Sequence, residues 1–374
     1  MGSPKMNQAR HQAYLTLIET LLTCPSDEQT AILQANVELL DDDFAEYLRE
    51  WATETLAEME SSQAANIIIP ILNFSNLIQQ FPLGSKSTNM EIAIVGYEMG
   101  LQVFNGDTYA ENWAAIQNNL ATAYKDRIKG DRAENIEKAI AAYNLALLVY
   151  TRAAFPQDWA MTQNNLAAAY SDRIKGDRGD NLERAIAFLE AALQVHTRQA
   201  FPEDWARIQN NLGEAYGDKI MRGRGDNLER AIKFYKAALE FRTPTTLPLN
   251  CLNTGRNLGD LGFDESWWET AIFGYEKAIE AVEQSREWVT SPSRKRQLIE
   301  ENLNIYEKMM QSCINHQQYH KAVQTVERSK SRHLVELFTN SEIYPKTATE
   351  SEKQQLRDLR RQIAAAQQSL ETES

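Results

Sequence analysis

The chain has 374 residues, of which 43% are hydrophobic and 24% charged, with only 16 glycines and 10 prolines. That composition can bury a core and excludes a disordered or collagen-like chain. A net charge of −13 argues against a phosphate-binding surface as the main feature.

Three cysteines, Cys24, Cys251 and Cys313, are odd in number and far apart. Their spacing fits neither a disulfide framework nor a zinc site, which points to a reducing cytoplasm. The longest aliphatic run, Ile67-Ile68-Ile69, is interrupted by Pro70, so no stretch reads as a membrane span. No signal-peptide pattern opens the chain. Met1-Gly2-Ser3-Pro4-Lys5 reads as vector residue ahead of Met6, and residues 1–6 are set aside as vector-derived or disordered.

Residues 7–62 carry apolar residues at helical spacing, broken at Pro25-Ser26. The pattern predicts about three helices that cap the first repeat, as a stack of repeats requires. Next come Asn76-Leu77 with Phe81, then Ala93, Tyr97 and Gly100, the first loose copy of a helix pair.

The central copies are tight. Trp113, Trp159 and Trp205 stand 46 residues apart, as do Tyr124, Tyr170 and Tyr216, and Ala139, Ala185 and Ala231. A fixed period of this length means stacked supersecondary units. Each unit reads as helix A, ending at a glycine cap (Gly130, Gly176). Helix B then opens on a capping box at Asp180 and Glu183, repeated at Asp226 and Glu229. Downstream, Asn257 and the group Ala271, Tyr275 and Ala278 mark a shorter fifth pair, with Trp267-Trp268 expected to pack in it. A sixth pair is expected over 294–338, its second helix running from His320 to Leu337, with Asn302 or Asn304 in the asparagine position. Residues 341–374 read as a linker and an amphipathic helix.

With Leu120, Ala121, Tyr124, Ala139, Tyr143 and Ala146 in this order, each unit resembles a tetratricopeptide repeat (TPR) with an enlarged inner turn. The resemblance implies an all-α, right-handed superhelical solenoid of about six helical hairpins over 63–340. Helix A would then line a concave groove. Asn76, Asn119, Asn165, Asn211 and Asn257 all precede the repeat's leucine or its equivalent, so stacking makes them a ladder. A carboxamide offers both donors and an acceptor. It can therefore read the backbone of an extended peptide, or bond the adjacent repeat and fix the twist. Asn118, Asn164 and Asn210 sit about 100° round the helix, so one of each pair can be structural and the other free. Arg207 and Arg256 are expected to face the groove nearby. The Asn-Asn-Leu-Ala pattern is similar to that of kinesin light chain TPRs, which implies peptide cargo on the ladder.

The turns "KDRIKGDR", "SDRIKGDR" and "GDKIMRGR" stack basic residues on one edge, but aspartates alternate with them and no aromatic interleaves. Self-neutralisation is the expectation, with docking of an acidic partner or of RNA as the alternative; nucleic acid is not expected as the main partner. His316 and His320 are four apart, but no carboxylate completes a metal set with them or with Cys313. No nucleophile site is visible, and no cofactor is implied.

The segments "AVEQSREWVTSPSRKRQLIEENLNIYEKMM" and "AVQTVERSKSRHLVELF" resemble the region that joins TPRs to the caspase-like protease domain of bacterial CHAT proteins, notably cyanobacterial ones. The repeats and "LLTCPSDEQTAILQANVELLD" resemble the N-terminal halves of the same proteins. The protease's His–Cys dyad would lie in a domain absent here, through truncation or loss. The implied function is a non-catalytic interaction module that takes a peptide or protein in its groove and controls such a protease. The alternative is a free-standing scaffold or oligomer assembled through residues 347–372.

Overall fold

Proline at the first position of a helix loses nothing, because that N–H has no acceptor within the helix. Pro156, Pro202 and Pro248 each open a helix, and Ala110 opens another at the same interval. The computed structural model describes residues 8–25, 27–57, 59–219, 224–340, 349–351, 353, 354 and 358. All its regular structure is helical among those residues, and none of these helices is long and apolar enough to cross a membrane.

The chain forms two units, Met1–Phe234 and Tyr235–Ser374. The first begins with α1 (Gln8–Thr23), α2 (Gln29–Ala35), a 3-10 turn at Val37–Leu39 and α3 (Asp42–Ala57). Four helix pairs follow: α4 (Ser61–Gln80) with α5 (Lys86–Val103), α6 (Ala110–Asp126) with α7 (Arg132–Ala146), α8 (Pro156–Ser171) with α9 (Arg178–Ala192), and α10 (Pro202–Asp218) with α11 (Arg224–Leu239), which crosses into the second unit. Through the first three pairs each helix packs on the next in sequence, and α9 packs on α10. First helices also touch, α4 with α6, α6 with α8 and α8 with α10.

The terminal helices close the stack by sharing its first core. Tyr14, Phe44, Leu33 and Leu48 are fully buried and join Ile68, Phe74, Ile78 and Tyr97 of α4 and α5. Tyr14 keeps its hydroxyl satisfied by donating to Asp41 Oδ1 at 2.7 Å, as a buried phenol must. Asp41 also pairs with Arg10 and accepts from the Phe44 amide at 2.8 Å.

Two sequence expectations about the inner turn need correction. Gly130 and Gly176 do adopt positive φ, 79° and 83°, but α6 and α8 have already ended at Asp126 and Ser171. The glycines turn the loop and do not cap the helix. The cap of the second helix lies three residues before the expected box: Asp177, like Asp131, accepts from the amide three residues on, at 3.0 and 2.8 Å. Each such cap contributes about 1 kcal/mol. What holds the loop is an asparagine one turn into the second helix. Asn135 donates to Lys129 O at 2.8 Å, Asn181 to Lys175 O at 2.9 Å and Asn227 to Lys219 O at 2.7 Å.

The second unit contains α12 (Pro248–Asp264), α13 (Trp268–Trp288), α14 (Pro292–Glu300), α15 (Leu303–Asn315) and α16 (Tyr319–Asn340). Here α12 and α13 meet backbone to backbone. A Cβ at Gly274 would lie 2.4 Å from Gly259 N, and one at Gly262 2.5 Å from Ala271 N. Trp268 packs edge-on against Phe263, while Trp267 stays partly exposed. The region 294–338 holds a short extra helix, α14, before the α15–α16 pair. Asn302 stands at the N-terminal boundary of α15, where its side chain donates to Leu298 O at 2.8 Å, and Asn304 lies in the helix's first turn. Neither occupies the mid-helix place of Asn119, because α15 starts later than expected.

Candidate functional site

The paired asparagines divide by burial. Asn118, Asn164 and Asn210 are 4%, 3% and 7% exposed, whereas Asn119, Asn165 and Asn211 are half-buried and Asn76 is exposed. A position before a leucine therefore reaches the surface, and the one before it does not.

Buried carboxamides must find partners, and these find them across layers. Asn211 Nδ2 donates to Asn164 Oδ1 at 2.9 Å. Thr162 Oγ1 donates to Asn118 Oδ1 at 3.2 Å. Asn119 Nδ2 donates to Asn76 Oδ1 at 2.9 Å. Within a layer the inner amide orients the outer one: Asn118, Asn164 and Asn210 donate to the Oδ1 of Asn119, Asn165 and Asn211 at 3.2, 3.4 and 3.4 Å. The first rung is anchored by Tyr97, whose hydroxyl lies 2.8 Å from both Asn76 Oδ1 and Gln79 Oε1. Burial pushes the Tyr97 phenol well above its ordinary range, so it remains a donor.

Inner and outer asparagines both take part in the ties between layers. The outer ones are held in a fixed orientation with capacity to spare, since each carboxamide has two N–H groups and two lone pairs. Asn257 is half-buried in α12 of the second unit. Arg207 pairs with Asp204 of its own helix at 2.7 Å, and Arg256 donates to Asn253 at 3.2 Å.

The basic turns are neutralised by neighbouring layers. Arg127 forms a two-pronged pair with Glu91 at 2.7 and 2.6 Å, and Arg173 does so with Glu137 at 2.7 and 2.9 Å. Lys219 and Glu183 continue the series at 3.3 Å. Arg132 meets Asp172 and Arg178 meets Asp218, at 3.0 and 2.5 Å. The Arg173 guanidinium holds the Glu137 carboxyl below its usual range. No family model matches the chain. No curated protein matches it. Among solved structures, BtubC (BKLC) from P. vanneervenii is similar at 19% identity with a TM-score of 0.47, over 70% of this chain and 96% of that one.

Other sequence candidates do not converge. His316 ends α15 and His320 lies in α16, and no group of three or more His, Cys, Asp or Glu side chains could hold a metal ion among the described residues. Cys251 and Cys313 are buried and unpaired. Burial raises the Cys251 thiol to about 11 and the Cys313 thiol in the same direction, the opposite of nucleophile activation.

One joint escapes a reading of the sequence. Phe104, Tyr150, His196 and Arg242 share a register and are all buried. Their chemistry differs so much that only the common period reveals the site. His196 packs its ring on Phe201 with centroids 5.2 Å apart, and its Nδ1 has no hydrogen-bond partner among the described residues.

Proposed function

We propose that this chain is a TPR-type interaction module without catalytic role, in which the outer carboxamides Asn76, Asn119, Asn165 and Asn211 receive an extended segment of a protein partner. The observation that carries the reading is the pairing of Asn119, Asn165 and Asn211 each with a buried inner amide, with Asn76 held by Tyr97 and Asn119. Preorganised groups lose little freedom on binding, and a row of fixed amides matches a peptide backbone better than any single compact ligand. Arg207 joins this contact set from its place on α10, and Asn257 and Arg256 on α12 are proposed to offer the same kind of contact within the second unit. Asn118, Asn164 and Asn210 act through their neighbours. The resemblance to CHAT proteins supports a further reading, in which the captured segment controls a caspase-like domain outside this chain, in the cytoplasm.

The test is an array of end-blocked synthetic peptides of about 15 residues probed with the full chain. Binding by the native chain, lost in the Asn119→Ala/Asn165→Ala/Asn211→Ala variant while its helical circular dichroism persists, supports the ladder. Unchanged binding by that variant assigns these amides to structure alone.

A further inference from the structure

At its first rung the amide row runs into a cleft of about 610 Å3 lined by α2 and α4, with Gln29, Thr30, Asn73, Asn76, Gln80 and Phe81 among its walls. This size lies within the range of sites that take a small ligand or a few residues of chain. None of the lining residues is ionisable, on a molecule whose net charge is −13. Asn76 is tied to the next layer by Asn119, but the other polar side chains of the cleft wall are not. The side chains of Thr30, Asn73 and Gln80 make no hydrogen bond to another residue among the described residues, and all three are exposed. Leu77, Phe81 and Pro82 add apolar surface beside them.

We propose that this cleft binds an uncharged stretch of the same extended partner segment, with Thr30, Asn73 and Gln80 pairing to its backbone. The proposal rests on the ladder reading and names what the partner must carry at this end. Continuity selects the occupant. Asn76 belongs to the cleft wall and accepts from Asn119 of the next layer, so the line of carboxamides leaving the cleft continues across to α6. An extended chain follows such a line, and a compact sugar or nucleoside does not. The lining selects the composition: a Lys, Arg, Asp or Glu seated here would lose hydration without meeting an opposite charge, which is costly.

The experiment uses the strongest end-blocked peptide from the array, fluorescein-labelled, titrated with the full chain and followed by fluorescence polarisation. The Thr30→Ala/Asn73→Ala/Gln80→Ala variant removes only exposed side chains without internal partners, so its melting curve should match the native one. At least a tenfold rise in Kd is expected. A similar rise is expected when Glu or Lys replaces each residue of one uncharged run in the peptide. Two results overturn the cleft and leave the ladder standing: native affinity in this variant, or charge tolerated at every peptide position. Loss of binding in the cleft variant but not in the Asn119→Ala/Asn165→Ala/Asn211→Ala variant overturns the ladder and keeps the cleft. An array that captures no peptide overturns both.

Discussion

Asn211 of α10 reaches across a layer boundary to the buried Oδ1 of Asn164 in α8, at 2.9 Å. Asn164 in turn orients Asn165, so two adjacent positions of one helix have different duties. Asn164→Ala should lower the unfolding free energy by about 1–3 kcal/mol, the range for stranding buried polar groups. Asn165→Ala should change it by less than about 0.5 kcal/mol, as a surface substitution does. Urea titrations of the two variants, read by circular dichroism, check the contrast. Equal losses would mean that the two asparagines share one structural role.

A second prediction concerns His196. Burial lowers its folded pKa, with Arg207 acting in the same direction and Asp204 opposing. The unfolded chain then binds the proton more readily than the folded one. Stability is therefore fully present above the unfolded value of about 6.5 and is lost as pH falls below it. His196→Phe installs the side chain that Phe104 carries at the equivalent joint, and it should flatten the melting temperature between pH 7 and pH 5. Thermal melts across that window decide it: an equally steep variant would place the titration elsewhere.

The glycine contact in the second unit gives a third. A methyl at Gly259 would sit 2.4 Å from the Tyr275 ring, whose residue is fully buried. Gly259→Ala should cost about 1–3 kcal/mol through overpacking. Gly225→Ala is the matched control, because nothing lies within 4 Å of its added Cβ. There the substitution should be neutral or stabilising by up to about 1 kcal/mol. Differential melting of the two variants is the measurement, and a neutral Gly259→Ala would show that the two helices can part without loss.

Thiol accessibility gives a fourth. Cys24 is half-buried, whereas Cys251 and Cys313 are fully enclosed. In the native chain at pH 8, iodoacetamide should modify Cys24 first, with the other two protected until denaturant is added. Mass spectrometry of digests over time reads the order. Early labelling of Cys313 would reveal opening of the α15–α16 pair.

The repeat is legible in the sequence because helical spacing is a local property. Trp113, Trp159 and Trp205 mark equivalent turns without any knowledge of tertiary contacts. The caps are harder to read. In "DRGDNLE" the cap spacing fits both Asp177 with Asp180 and Asp180 with Glu183, and only the hold of Asn181 on the Lys175 carbonyl selects the first. The asparagine pairs announce a role but not its division. Burial of one member depends on the neighbouring layer, and Thr162 and Asn211 supply the partners from the adjoining layer. The cleft is invisible in the sequence, since Gln29 and Asn73 meet only after the terminal helices fold back on α4.

In the first unit the ion pairs of the inner turns recur from layer to layer at one offset: Arg127 with Glu91, Arg173 with Glu137 and Lys219 with Glu183. A gene segment encoding one whole period could thus be duplicated in frame, and the newcomer would find these charged partners already waiting on either side.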